Sequence, residues 1–132
     1  MDLIFDSQVL RHRGSDELPE PVLASIAGYY RRATTTSRPL SHLIGLVMVV
    51  LLGALGFAWA RASEPIWLLS VMTVLACGPI LLAMARTYPN AVRLGAREVG
   101  VGAQSRLARA ICRDHLLCLA SMTVFLVLWI AV

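Results

Sequence analysis

The sequence predicts an all-α integral membrane protein with three transmembrane helices and a polar N-terminal tail carrying a short amphipathic helix. Three observations lead there. Hydrophobic residues make up 58% of the 132 positions and mean hydropathy is +0.70, above the roughly 45–50% usual for a soluble domain. The excess falls into three blocks rather than being spread through the chain. The Arg, Asp and Glu residues all lie outside those blocks.

The first block runs from Leu40 to Ala60, with His42 its one strongly polar member. The second runs from Ile66 to Ala85 without a charge, and the third from Leu116 to Val132. A helix needs about 20 apolar residues to cross the hydrocarbon layer, and a chain in lipid must satisfy its own backbone hydrogen bonds. Each block is therefore expected to be a helix. The resulting division is a tail at 1–38, a first span at 39–60, an outer turn at 61–65, a second span at 66–86, a basic loop with an amphipathic helix at 87–113, and a third span at 114–132. Within the outer turn, Ser63 is placed to cap the second span, with Glu64 and Pro65 in its first turn.

Orientation follows from arginine. The chain has 12 basic residues besides histidine, all Arg, and a net charge of +4. Arg31, Arg32 and Arg38 precede the first span. Arg86, Arg93, Arg97, Arg106, Arg109 and Arg113 lie between the second and third, and Arg61 is alone in the outer turn. The excess of positive charge on cytoplasmic segments places the N-terminus and the long loop inside and the C-terminus outside, in a bacterial inner membrane. Trp59, Trp67 and Trp129 then share the outer interface, where indole rings are favoured. Met1 to Asp6 have neither the basic stretch nor the apolar run of a signal peptide.

The tail divides further. Gly14 to Glu20 reads as a linker. Pro21 suits the first turn of a helix reaching Arg32, with Val22, Ile26, Tyr29 and Ala33 on one face. Beyond the second span, Tyr88-Pro89-Asn90 is a turn signal. From about Val101 a helix is expected to resume and run into the third span. Gly78-Pro79 is expected to bend the second span, because Pro79 cannot donate to the carbonyl of Leu75.

Candidate functional residues are few. Arg106, Arg109 and Arg113 fall within an arc of roughly 60° on one helix face, with Leu107 and Ile111 opposite. That face suits anionic lipid headgroups or an acidic partner, and Tyr29 and Tyr30 are further partner- or lipid-binding candidates. Gly53, Gly56, Ala60 and Pro79 are candidate helix-packing positions, the small residues allowing close helix approach. His42 and His115 lie at similar depth near the inner ends of the first and third spans. With Ser41 and Arg113 they form a candidate haem or quinone site, and Asp114 beside His115 is a candidate proton-handling pair. Arg38-Pro39-Leu40-Ser41-His42 resembles the Arg-Pro-Leu-Ser-Pro-His stretch that opens the membrane anchor subunit of succinate dehydrogenase, a three-helix protein of about this length. The resemblance implies a haem- or quinone-binding anchor. It covers five residues, lacks the proline before histidine, and is not followed by the family's Ser-Ile-x-His-Arg-x-Thr-Gly segment or by a histidine in the second span.

Cys77, Cys112 and Cys118 form no C-x-x-C or Cys/His cluster, so neither a metal site nor any cofactor is expected. The midplane offers only Ser, Thr and Cys, which disfavours a self-sufficient transporter. The expected function is therefore a non-catalytic accessory or scaffold subunit of a larger membrane complex of the secretion, conjugation, respiratory or photosynthetic type. The alternatives are a holin-like self-assembling pore and the haem or quinone anchor. Its expected partners are other membrane subunits and anionic lipid headgroups, not nucleic acid. The orientation is checked with reporter fusions. Alkaline phosphatase fused at the C-terminus is expected to be active and a fusion after Arg97 inactive, and the reverse pattern overturns the Arg and Trp arguments together.

Overall fold

The computed structural model describes residues 3–35, 38–61 and 64–131, with the side chains of residues 3 and 38–42 outside that description. Ser63, expected as a cap, and the side chains of Ser41 and His42 thus lie outside the described residues. The chain forms helices α1 (Leu3–Arg11), α2 (Glu20–Thr35), α3 (Arg38–Arg61), α4 (Ile66–Leu82), α5 (Tyr88–Ala96) and α6 (Val101–Ala131), with a π-helical turn at Ala83–Thr87 joining α4 to α5. No strand occurs among the described residues. Three helical stretches are long and apolar enough to cross a membrane: Leu43–Arg61, Ile66–Ala96 and Val101–Ala131.

The last two of these are each 31 residues long. At 1.5 Å per residue each measures about 46 Å, against a hydrocarbon layer of about 30 Å. Each therefore extends a few turns beyond what a bilayer would cover. Those extensions, α5 and the first part of α6, meet α1 and α2 in a basal helical cluster. Its core is Val9, Leu18, Leu23, Ile26, Tyr30, Ala91, Leu94, Ala108, Ile111 and Cys112, flanked by Phe5, Leu10, Val22, Tyr29, Leu107 and Leu116. A second, smaller core lies toward the distal end of the spans, where Leu55 of α3, Leu68, Met72 and Ala76 of α4, and Phe125 of α6 come together.

The tail is thus more ordered than its composition indicates. α1 arises from a stretch read only as lacking a signal peptide. In α2 the buried residues are Leu23, Ile26, Ala27 and Tyr30, and Val22, Tyr29 and Ala33 are half-buried. The buried face is turned by about one residue from the expected one, because α2 packs against α5, α6 and α1 together. Its tightest contact is with α5. A Cβ added at Gly95 would lie 3.0 Å from the backbone nitrogen of Arg31 and 3.2 Å from its Cα. Ala91 and Gly95, four residues apart, are the small residues that let the two backbones meet.

The second span departs from expectation in three places. α4 begins at Ile66, with Pro65 in extended conformation before it and its carbonyl accepting from Leu68 and Leu69. Glu64 and Pro65 therefore precede the first turn. α4 runs through Pro79 to Leu82, and a departure from α geometry follows at Ala83–Thr87. There the Tyr88 N–H bonds the carbonyl of Ala83, five residues back. Pro89 explains the location, since its ring in α geometry would strike the carbonyl of Ala85 and a wider turn relieves that contact. The helix consequently passes through Tyr88-Pro89-Asn90 rather than turning there. It ends at Ala96, with Arg97 in the left-handed region (φ 55°, ψ 30°) as C-cap. α6 starts at Val101, as the sequence pattern indicates.

Trp59, Trp67 and Trp129 lie toward the distal end, each substantially exposed. Trp59 Nε1 donates to Thr73 Oγ1 at 2.9 Å and ties α3 to α4. Gly53, Gly56 and Ala60, candidate packing positions for the chain's own bundle or for a second subunit, are not packed against the other described helices. All three are exposed, and a Cβ added at either glycine meets nothing within 4 Å. α3 approaches α4 through Leu51 and Leu55 instead.

Gly95 and Gly53 give a direct comparison. Gly95→Ala forces α2 and α5 apart and is expected to destabilise the basal cluster by about 1–3 kcal/mol, the usual range for overpacking. Gly53→Ala is expected to be neutral or slightly stabilising, because alanine is the better helix former. Thermal unfolding of both variants in detergent measures the difference, and equal midpoints would contradict the contact.

Candidate functional site

The chemistry-bearing side chains gather where the basal cluster meets the apolar part of α6. Cys112, Asp114 and His115 lie within one turn of that helix; Cys112 and His115 engage Asp6 of α1, and Asp114 engages the π turn.

His115 Nδ1 lies 2.8 Å from Asp6 Oδ2. Asp6 is buried on α1 at 3% exposure, and its backbone carbonyl accepts from Cys112 Sγ at 3.9 Å. Two residues one turn apart on α6 therefore hold both the side chain and the backbone of Asp6. Asp114 is fully buried and points toward the π turn. Its Oδ2 accepts from Thr87 Oγ1 at 3.3 Å, and its Oδ1 lies 3.8 Å from Arg86 Nη2 without a hydrogen-bond partner. Arg86 is half-exposed, so water screens its share of the pairing. The π turn is what carries Thr87 and Arg86 to this carboxylate. Asp114 and His115, adjacent in sequence, do not pair with each other: one is directed to the π turn and the other to α1.

The basal linker is fastened from the same helix. Leu18 N–H donates to buried Ser105 Oγ at 3.0 Å, and Arg109 donates to the backbone carbonyl of Ser15. Arg97 pairs with Glu20 across the α2–α5 contact.

The Arg stripe is distributed accordingly. Arg106 is exposed, and its guanidinium and the Glu17 carboxylate both approach Gly102. Arg109 is half-buried and reaches the linker of its own chain. Arg113 is exposed and, with Arg109 and Arg13, lines a cavity of about 250 Å³ whose other walls are Val9, Leu10, Cys112 and Leu116. Ile111 and Leu107, expected to seat against the bilayer or a subunit, face the chain's own tail in the basal core. Tyr29 stacks on Phe5 with ring centroids 4.2 Å apart, and Tyr30 packs edge-on to Tyr29. Both tyrosines belong to the interior contact between α1 and α2. Pro79 is half-buried, its carbonyl 3.9 Å from Cys118 Sγ. It lines an apolar cleft of about 390 Å³ with Leu43, Met48, Ile80 and Met122.

Of the haem or quinone candidates, His115 is directed to Asp6 and Arg113 to the arginine-lined cavity, while Ser41 and His42 lie outside the described side chains. Among the described residues no three His, Cys, Asp or Glu side chains are grouped as metal ligands. Sequence reasoning missed Asp6, Arg13 and Thr87. The acidic residue in an otherwise apolar run, Ile4-Phe5-Asp6, was the available signal for the first.

Asp6→Ala is expected to remove this contact from His115 and to loosen α1, at a cost of about 1–3 kcal/mol for the lost hydrogen bond. Hydrogen exchange should then speed up in α1 and remain slow at the α2–α5 contact. Equal protection of α1 in the variant and the parent would show that the pair does not hold the helix.

Comparison of the chain with protein-family models, with curated proteins and with solved structures finds no match.

Proposed function

We propose that the chain is a multi-pass scaffold subunit of a bacterial inner-membrane complex, doing no chemistry of its own and offering α3 to another membrane helix. The observation that carries this reading is the bare face of α3. Leu55 is the one described α3 side chain that is buried. Gly45, Gly53, Gly56 and Ala60 fall within roughly 80° of one another around the helix axis, on a side turned away from Leu55. All four are exposed, and a Cβ at any of the three glycines would meet nothing within 4 Å. Small residues in a membrane span favour close approach of a second helix, and among the described residues none takes that place.

The placement of charge supports an N-terminus in the cytoplasm. Arg31, Arg32, Arg93, Arg97, Arg106, Arg109 and Arg113 belong to the basal helices and their connections, whereas Arg61 ends α3 at the opposite pole. The basal cluster would then be a cytoplasmic platform fixed to two of the three spans. The side chains gathered around Asp6 and Asp114 support the same reading, since they are engaged in holding α1 and the π turn to α6.

The test uses the absence of internal neighbours. Gly53→Leu combined with Gly56→Leu adds bulk to the bare face, where a Cβ at either position meets nothing within 4 Å. It is expected to leave the thermal midpoint of the purified protein unchanged while abolishing co-purification of its partner from mild detergent, read by mass spectrometry of tagged parent and variant. Recovery of the same partner at the same stoichiometry from the variant would remove α3 as the docking helix.

A further inference from the structure

We propose that Arg13, Arg109 and Arg113 form a binding pocket for the phosphate group of an anionic membrane lipid, whose acyl chains run along α6 beyond Leu116. The inference rests on the reading of α6 as a membrane span.

The pocket is built from two separate segments. Arg13 comes from the turn after α1, Arg109 and Arg113 from successive turns of α6, and together they surround a cavity of about 250 Å³. Its apolar walls are Val9, Leu10, Cys112 and Leu116, and no carboxylate lines it. Two other arginines are matched to acids, Arg97 to Glu20 and Arg86 to Asp114. Among the described residues none of the three pocket arginines makes an ion pair. The bond from Arg109 to the Ser15 carbonyl fixes its guanidinium without neutralising it. Three uncompensated guanidinium groups around one cavity suit a phosphate, which accepts paired N–H bonds from such planar donors.

Position along α6 favours a lipid as the phosphate's carrier. Arg113 is the last charged residue before the apolar part of the helix, save Asp114, which is buried on another face. Leu116 forms the pocket's membrane-side wall. From there Ala120, Thr123 and Val127 continue at intervals of three and four residues on the same side of the helix, and all three are exposed. A headgroup phosphate in the pocket would leave its acyl chains against that strip. Arg106, the remaining member of the stripe, lies two turns further from the apolar segment than Arg113 and does not line the cavity.

The experiment compares the full chain in nanodiscs of phosphatidylcholine with nanodiscs containing phosphatidylglycerol, and reads bound lipid by native mass spectrometry after release into detergent. Arg13→Gln combined with Arg113→Gln removes two guanidinium groups that make no hydrogen bond or ion pair within the described chain. Arg31→Gln combined with Arg93→Gln is the control with the same change of charge. The parent and the control are expected to retain phosphatidylglycerol over phosphatidylcholine, and the pocket variant to lose at least about tenfold of that preference, given about 1 kcal/mol for each basic residue at an anionic surface. Equal loss in pocket variant and control would reduce the effect to general charge and overturn the pocket. Binding of inorganic phosphate by the parent in place of phosphatidylglycerol, lost in the pocket variant, would make the ligand a soluble anion and overturn the lipid assignment. Alkaline carbonate extraction separates the two levels of the argument. Release of the parent from membranes removes the spanning reading, and the proposal with it. Retention in the membrane with no preference between the two lipids removes the pocket alone.

Discussion

The excess length of two helices is the constraint from which most of this structure follows. The α4–α5 rod and α6 are both longer than a hydrocarbon layer is thick, and their overhanging turns carry apolar residues such as Ala91, Leu94, Ala108 and Ile111 that need cover. A lone overhang would expose that surface to water. Two side by side form a groove, and α2 fills it with Leu23, Ile26 and Tyr30. At about 25 cal/mol per Å² of apolar surface, burying these large side chains is the main stabilisation available to a tail of this composition. The backbone approach at Gly95 sets how deeply α2 can sit, and α1 then closes over the remaining side.

Polar side chains act on this arrangement as fasteners. Asp6, Ser105 and Asp114 are buried, and each connects α6 to a different part of the basal cluster. Asp6 secures α1, Ser105 the linker and Asp114 the π turn. A buried carboxylate is costly unless it is well paired. Asp114, with one long hydrogen bond and a half-exposed arginine, is the least well matched of the three. Such groups contribute less to net stability than to selecting one packing among several, because any sliding of α6 would strand them without partners.

Hydrophobic blocks in the sequence revealed the three long apolar helices because a 20-residue apolar run has few other physical solutions. The start of α6 at Val101 was equally legible from its periodicity. The extension of the second helix was not, because Tyr88-Pro89-Asn90 carries an ordinary turn signature. Only a local widening of the helix lets the chain absorb Pro89 without breaking. α1 was missed because nine residues with one apolar face have too little pattern to stand out from a linker. The arginine stripe was visible as a spacing, but its division of labour was not. Whether an arginine faces solvent, its own chain or a cavity depends on what packs beside the helix, and for Arg109 and Arg113 that neighbour is the segment around Arg13. The glycines of α3 were legible as a close-approach surface, while their lack of a neighbour among the described residues depended on the placement of α4 and α6.

The fastening of the tail has a consequence for the order in which the molecule is made. Leu18 and its partner Ser105 are 87 residues apart, and Asp6 and His115 are 109 apart. A ribosome releases α1 and α2 first, yet their binding groove does not exist until α5 and the start of α6 have emerged. During most of synthesis the two helices must wait as amphipathic segments, open to chaperones or to the membrane surface. Contacts of such separation form late. Closure of the tail therefore coincides with the arrival of the last long helix, and a chain stalled before α6 would keep the apolar face of α2 on display. Accessibility of Leu23 and Ile26 thus reports whether α5 and the start of α6 are in place.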